Sequence, residues 1–232
     1  KGFECFGAGG LNLMRLHVSR NDTGELHIIG VGVDTSNNLE FAAFSKYAQL
    51  EGTTQNLSSS FGEGSVTVPE CSFIDYVMNE TNVTLIVTPN NTYVYEPTKD
   101  GETIRLASTS KVTDGGDAKR RGEDFKSYWV TTPRGPIATM HQNRVFYAGF
   151  PGTFTASLTS TIDADQDGAA EEFISSGDRA QVLVHADTLV FSDPFDPLGV
   201  PATNRMEFRE PITGLVSFQQ ALVVFTERSV WA

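Results

Sequence analysis

Short runs of β-branched and aromatic residues, separated by turn formers, recur along the whole chain. Turn-forming clusters such as Pro89-Asn90-Asn91 and Ser176-Gly177-Asp178 bound these runs. The alternation is typical of all-β proteins, and no stretch keeps a 3.6-residue apolar period over three turns. We therefore expect an all-β fold of short antiparallel strands. The clearest strands are predicted at residues 25–33, 82–88, 92–96, 144–150, 180–185, 188–192 and 221–226.

A short sequence pattern recurs just before the strongest predicted strands and suggests how these strands are arranged. A polar turn residue precedes an apolar strand at Asn143, Asp187 and Gln220, and the separations are 44 and 33 residues. The run that starts at Met78 is a weaker copy. Four-stranded propeller blades recur at about 40–50 residues. The spacing therefore predicts β-propeller-like blades, in each of which a hairpin turn precedes the apolar strand.

The polarity of the chain divides it into three regions. Residues 1–98 form an N-terminal β region, residues 99–132 are polar and charged, and residues 133–232 hold the blade-like strands. We expect the middle region to be a loop or an insertion. Because the chain starts with Lys1 and ends straight after a strand-like run, we expect the blades to be part of a larger propeller in a longer polypeptide.

The charge balance limits the classes of partner. The 232 residues carry a net charge of −12, whereas a surface that binds nucleic acid is basic because it neutralises phosphates. An acidic surface can still face DNA as a repelling wall. No signal peptide and no membrane partner are expected, because the sequence has no apolar run near the ~20 residues that span a bilayer. Cys5 and Cys71 are expected to be two separate thiols, although one bridge between them stays open.

The most specific local motif is an acidic loop. Asp163, Asp165 and Asp167 alternate before Gly168, and Glu171 follows. Carboxylates at this spacing converge when the loop curls, and Ca²⁺ prefers six to eight oxygen ligands. An EF-hand would need Glu where Ile174 stands. The motif is similar to the calcium loops of FG-GAP-type propellers, and an acidic turn without metal is the alternative.

Catalytic patterns are weak, so we expect a protein without enzymatic activity. The histidines His17, His27, His141 and His185 lack metal-ligand spacing, and no nucleophile elbow or phosphate loop occurs. The adjacent Glu171 and Glu172 would point to opposite faces of a strand, which is a poor geometry for a glycosidase pair. The two tryptophans, Trp129 and Trp231, lie in strand-like runs and are expected in the core.

The second half resembles a known family. The segments that carry the resemblance are Asn143–Gly149 (NRVFYAG), Ser192–Pro197 (SDPFDP), Ile212–Leu215 (ITGL) and Leu222–Trp231 (LVVFTERSVW). In this order they resemble the tail nozzle (tail tubular protein B) family of short-tailed bacteriophages. The resemblance covers mainly residues 133–232, with a weaker strand pair at residues 73–96. It does not extend to residues 1–70 or to the acidic loop.

The resemblance implies a structural virion component in the phage tail. It implies a homo-oligomeric ring, expected to be a hexamer, that contacts the tail adaptor and fibre proteins while DNA passes through the lumen without specific binding. Two other functions stay open at this point. One is a calcium-binding β-propeller adhesion module with Asp163, Asp165, Asp167 and Glu171 as ligands, and the other is a propeller glycosidase.

Overall fold

The structure is a computed structural model that describes residues 12–44, 55–57, 60, 70–78, 80–98, 101–107, 128–129, 132–159 and 181–232. Within these residues every named element is a β-strand, eighteen in all, and the recorded pairings are antiparallel. The predicted all-β class is confirmed. The chain divides into two compact units, Lys1–Leu106 and Ala107–Ala232, which are described separately.

The first unit contains two four-stranded sheets, each of which runs in chain order. Such an antiparallel meander needs only short hairpin connections. Sheet I consists of β1 (Asn12–Arg20), β2 (Leu26–Val33), β3 (Leu39–Phe44) and β4 (Gln55–Asn56). Sheet II consists of β5 (Ser72–Met78), β6 (Thr81–Val87), β7 (Thr92–Thr98) and β8 (Gly101–Leu106).

Sheets I and II pack face to face through one hydrophobic core. Alternate residues of a strand point to opposite faces, so Ile29 and Val31 of β2 lie on the same side and are fully buried. Sheet II supplies Tyr93 and Tyr95, and the Tyr95 ring lies 5.2 Å from that of Phe41. These aromatic side chains bury the largest areas and dominate the packing.

The second unit contains a sheet with an insertion and a final three-stranded meander. Sheet III has the order β10-β11-β14-β15, and the chain leaves it between β11 and β14 to form sheet IV, with the order β13-β12-β9. Sheet V has the order β16-β17-β18. The strands are β9 (Tyr128–Trp129), β10 (Ile137–His141), β11 (Arg144–Ala148), β12 (Phe154–Thr159), β13 (Gln181–Val184), β14 (Thr188–Phe191), β15 (Arg205–Glu207), β16 (Ile212–Phe218), β17 (Ala221–Thr226) and β18 (Val230–Trp231).

A second core lies between sheets III and V. Its buried members are Ala148 and Leu189 from sheet III and Ile212 and Val224 from sheet V. Each side chain is at most 4% exposed. The two sheets therefore pack face to face, as sheets I and II do in the first unit.

The first hairpins of sheets II, III and V contain turn residues with positive φ that are not glycine. Backbone φ is +68° at Glu80, +47° at Gln142, +60° at Asn143 and +52° at Gln219. Positive φ matches the twist of tight hairpins but costs a non-glycine residue about 1–2 kcal/mol. The paired strands must offset this cost.

The structure confirms the seven clearest predicted strands and corrects one part of the repeat. Asn143 and Gln220 lie in hairpin turns, as expected. Asp187 does not, because β13 pairs with β12 while β14 pairs with β11 and β15. The β12–β13 insertion thus makes Asp187 part of a connection between two sheets. Within the polar region 99–132, strand β8 begins at Gly101, and residues 108–127 lie outside the described ranges.

Candidate functional site

The predicted calcium loop lies outside the described residues. This holds for Asp163, Asp165, Asp167 and Glu171, and also for Glu172. Among the residues that the structure does describe, no three His, Cys, Asp or Glu side chains are grouped so that they could hold a metal ion. The calcium site therefore stays a prediction of the sequence.

A polar network of four side chains joins β1 of sheet I to β5 and β6 of sheet II. Asp75 of β5 lies at its centre, with its Oδ1 atom 2.8 Å from Nε2 of His17 and 2.7 Å from Oγ1 of Thr84. Thr84 is the cross-strand neighbour of Asp75, and its Oγ1 lies 2.7 Å from Oγ of Ser19. His17 and Ser19 are two residues apart on β1, so both face sheet II.

Each hydrogen bond among these four side chains has a defined donor and acceptor. A carboxylate only accepts hydrogen bonds, so His17 and Thr84 both donate to Asp75. The Thr84 hydroxyl has one proton, so it must accept its second hydrogen bond from Ser19. The Ser19 hydroxyl reaches the carboxylate only through Thr84 and makes no contact with the imidazole. Ser19 and Thr84 are 1% and 0% exposed. The group thus lacks the accessible hydroxyl and the hydroxyl–imidazole contact that nucleophilic catalysis requires.

The environment of Asp75 favours its charged form. Burial of the carboxyl opposes ionisation, but the hydrogen bonds from His17 and Thr84, together with the charges of His17 and Arg20, hold its pKa below the usual value. The His17 ring also stacks on Phe73, with ring centroids 5.1 Å apart. We name His17, Ser19, Asp75 and Thr84 the polar clasp, because they connect the two sheets across their shared core.

The second unit has a similar contact between first strands. His141 ends β10, is 8% exposed, and places Nδ1 2.9 Å from Oγ of Ser217 in β16. In both units, therefore, a histidine of one sheet bonds a polar side chain on the first strand of the next sheet. His17 and His141 thus each hydrogen-bond a side chain of the neighbouring sheet.

The first turns of packed sheets also contact each other. In the first unit, the Asn82 backbone N–H donates to Oδ1 of Asp22 at 2.7 Å. In the second unit, Nε2 of Gln142 donates to the Gln220 carbonyl at 3.4 Å. Each contact joins the β-turn region between the first two strands of one sheet to that of the next. Within each unit, the two packed sheets therefore lie with equivalent ends side by side.

A compact loop between β14 and β15 exposes an aromatic side chain. Asp193 and Asp196 form an isolated bridge, and the Asp193 N–H donates to the Gly199 carbonyl at 2.9 Å. The Asp196 carboxylate accepts from the Gly199 N–H at 3.0 Å, and a side chain at Gly199 would collide with that carboxylate. Asp residues commonly close turns in this way.

Phe195 lies at the tip of this loop. Its side chain is 71% exposed and its φ is +60°, a conformation that is rare for a bulky residue. The Phe195 N–H donates to the Asn143 carbonyl at 2.8 Å, so the first turn of sheet III fixes the tip. Below the loop, the fully buried Tyr147 hydroxyl donates to the Pro197 carbonyl. Burial raises the pKa of Tyr147, so the hydroxyl keeps its proton.

The sequence pattern did not identify this loop as a candidate site. Ser192–Pro197 stood out in the sequence only through the family resemblance. The exposed Phe195 and its positive φ depend on the distant Asn143, which no local pattern reveals. The arrangement can act as a rigid, acidic-flanked recognition knob rather than as a centre of chemistry.

The remaining predicted positions have clear surroundings. Cys71 is buried beside the first core, and burial raises the pKa of its thiol to about 12, although Arg15 acts in the opposite direction. Cys5 lies outside the described residues. Trp129 is 1% exposed, as expected, but the core prediction for Trp231 is wrong: it is 51% exposed. It lies on the short last strand, which leaves one side of the indole open, with its other contact edge-on to Phe208.

No helix among the described residues is long and apolar enough to cross a membrane. Comparisons with protein-family models, with curated proteins and with solved structures found no match to this chain.

Proposed function

We propose that the protein is a non-catalytic structural component of a bacteriophage tail, of the nozzle type, whose blades form part of a ring around the DNA-ejection channel. The observation that carries this proposal is the repeated build of the two units. Each stacks antiparallel meanders with equivalent turns and equivalent first strands in contact. This stacking supports an arrangement of the meanders as propeller blades, in which the same unit recurs around an axis.

The positions of the family-like segments support the proposal. NRVFYAG covers β11 and the residues after it, SDPFDP forms the knob loop, and ITGL and LVVFTERSVW cover β16, β17 and β18. The segments therefore lie on the interacting sheets III and V and on the loop that sheet III fixes, where they build one core and one exposed tip.

The charge of the chain is compatible with a channel wall. A net charge of −12 repels DNA phosphates, so DNA can move along such a surface without specific binding. In the proposed virion the ring, expected to be hexameric, contacts the tail adaptor. The rigid Phe195 loop is the kind of feature that would dock fibre proteins.

Electron microscopy of the purified chain tests the proposal. Negative-stain images should contain rings with a central opening, and a gel-shift assay with duplex DNA should give no retained complex at ~50 mM salt, where phosphate contacts are strongest. Particles that stay monomeric at all concentrations, or DNA retention that falls steeply with salt, would contradict it. Labelling of phage tails with antibodies to the chain would identify the virion as the location.

A second candidate function is a calcium-stabilised β-propeller adhesion module. It rests on the spacing of Asp163, Asp165, Asp167 and Glu171. Calorimetric titration with Ca²⁺ tests it. If millimolar calcium gives no heat and a chelator leaves the melting temperature unchanged, the calcium site is excluded. A monomer whose stability depends on calcium would favour this candidate over the nozzle.

A propeller glycosidase is the third candidate. Turnover of a glycan panel that is abolished by Glu171→Gln or Asp163→Asn would support it and would contradict the non-catalytic role. The described residues offer one strongly exposed tryptophan, Trp231, for stacking on a sugar ring.

A further inference from the structure

The first turns of sheets III and V carry a row of exposed, uncharged side chains. The Phe195 N–H donates to the Asn143 carbonyl at 2.8 Å, and Nε2 of the adjacent Gln142 donates to the Gln220 carbonyl at 3.4 Å. Phe218 ends β16, directly before the turn that contains Gln220. We name this row the amide strip, and its members in order of contact are Phe195, Asn143, Gln142, Gln220, Gln219 and Phe218.

Every member of the amide strip is exposed to solvent. Phe195 is 71% exposed and Phe218 is 61% exposed, and the four amide side chains between them belong to the exposed class as well. None of these residues carries a charge, although the chain has a net charge of −12. Because packed sheets lie about 10 Å apart, the strip is long enough to contact more than one unit of an extended ligand.

The backbone of the amide strip is held in a conformation that most of its residues disfavour. Among the described residues, seven that are not glycine have positive φ, and four of these lie in the strip: Gln142 (+47°), Asn143 (+60°), Phe195 (+60°) and Gln219 (+52°). Tight hairpin turns need positive φ, but glycine supplies it at lower cost than glutamine. Both turns therefore keep an amide side chain at the expense of a more stable turn. Strain of this kind is concentrated at sites that bind a ligand.

Amide groups between two aromatic rings match the chemistry of a sugar chain. Each amide offers two N–H donors and a carbonyl acceptor, and each sugar hydroxyl both donates and accepts. The apolar face of a phenyl ring can pack on the C–H face of a sugar ring. A protein partner would have to bury the same amides, and a buried amide without a hydrogen-bond partner is costly. The composition of the strip therefore favours a hydroxyl-rich ligand over an apolar protein surface.

We propose that the amide strip binds an uncharged polysaccharide. Phe195 and Phe218 stack on sugar rings, and the amides between them form hydrogen bonds with the hydroxyls. The net charge of −12 repels anionic polysaccharides, so the ligand is neutral. The strip contains no carboxylate, so it binds the polymer without cleaving it. Because the strip is exposed rather than enclosed, we expect a dissociation constant of about 0.1–1 mM for an oligosaccharide. The site lies within the second unit and does not depend on the assembly role proposed above.

Affinity electrophoresis of the full chain tests this site. The acidic chain migrates toward the anode in a native gel, and a polysaccharide in the gel retards it if the two bind. The gels contain dextran, mannan, amylopectin or galactomannan as neutral probes, and polygalacturonate as the anionic probe. At least one neutral probe should retard the wild-type chain, and polygalacturonate should not. Retardation by none of the neutral probes, or by polygalacturonate alone, would overturn the proposal and leave the strip to a protein partner.

Glycine variants separate a binding role of the amides from a structural one. Gln142→Gly and Gln219→Gly relieve the strain of positive φ, so each should keep or raise the melting temperature while it weakens the retardation. The matched control is Asn37→Gly, which removes an exposed amide at a φ of +62° outside the strip and should bind as the wild type does. Lower melting temperatures for both glutamine variants would assign these amides a structural role and overturn the proposal.

The aromatic rings are tested in the same gels. Phe195→Asn removes one ring and places a residue that tolerates positive φ, and Phe218→Thr removes the other ring from a strand end. Each variant should weaken binding about tenfold. The matched control is Val230→Thr, since Val230 is an equally exposed residue of sheet V (63%) outside the strip, and it should leave binding unchanged. Equal retardation of the wild type and both phenylalanine variants would overturn the proposal.

Discussion

Removal of the Asp75 carboxylate should destabilise the first unit alone. The Asp75→Ala substitution deletes the central acceptor of the polar clasp and leaves the donors of His17 and Thr84 without their shared partner. Asp75→Asn keeps one acceptor oxygen but removes the charge, so it should have a smaller effect in the same direction.

The expected loss of unfolding free energy follows from the solvent exposure of each hydrogen bond that Asp75 makes. The Asp75 side chain is 58% exposed, so its solvent-screened hydrogen bond with His17 should contribute only about 0.5 kcal/mol. The Thr84 hydroxyl is fully buried, and loss of its acceptor should cost about 1–2 kcal/mol. We therefore expect Asp75→Ala to lower the free energy of unfolding by about 2 kcal/mol and Asp75→Asn by about 1 kcal/mol.

The positions of the tryptophans allow a unit-specific assay. Trp129 and Trp231 both belong to Ala107–Ala232, so tryptophan fluorescence reports on the second unit only. Far-UV circular dichroism reports on both units. In urea at pH 7, Asp75→Ala should move a component of the dichroism transition to lower urea and leave the fluorescence transition in place. Glu70→Gln, which removes an exposed carboxylate of the same unit, should change neither.

The contribution of Asp75 to the free energy of unfolding should depend on pH. The folded-state pKa of Asp75 is held below its unfolded value of about 3.9, so its stabilisation is present in full above that pH and is lost as the pH falls through the folded pKa. The gap between wild type and Asp75→Asn should therefore narrow below about pH 4. An unchanged dichroism transition at pH 7, or a gap of constant size down to pH 2, would refute the role given to this carboxylate.

Three further predictions concern the knob loop and the buried thiol. Phe195→Gly should be about 1 kcal/mol more stable than Phe195→Ala, because only glycine tolerates the positive φ without strain, and the fluorescence-detected melting temperatures should keep that order. Tyr147→Phe should lower the free energy of unfolding by about 1–2 kcal/mol in urea, because the buried Pro197 carbonyl loses its donor. With Cys5→Ser as background, Cys71 should resist a thiol reagent at pH 8 until urea unfolds the chain, and rapid labelling of the folded protein would contradict its burial.

The strands could be predicted from the sequence because their signals are local. Runs such as 221–226 combine strong β propensity with flanking turn residues, and the structure begins and ends β17 at those residues. The insertion of sheet IV could not be predicted, since the run at 180–185 has the same local pattern whether it pairs with β14 or with β12. Pairing partners are decided by the packing of distant residues, which explains the wrong role given to Asp187.

The candidate sites likewise differ in whether a local sequence motif could predict them. The polar clasp needs His17 and Asp75 to meet from 58 residues apart, and the knob needs the Asn143 carbonyl to reach Phe195, so neither leaves a contiguous motif. The acidic loop does leave one, because calcium ligands lie close together in sequence. The exposure of Trp231 was missed because a strand-like run does not reveal which face of the sheet is covered.

The uncharged strands of sheet V also matter while the chain is being made. Ala221–Thr226 has high β propensity, no charge and no proline, which is the signature of segments that stack into cross-β aggregates. In the folded chain β16 pairs along β17, and β18 pairs with Val224 and Phe225 on its other side, which reduces this hazard. Until those pairs form, the segment is available to other nascent chains, so slower synthesis at lower temperature should raise the soluble yield. The uncharged composition of β17 therefore sets a limit on how concentrated the unfolded chain can become.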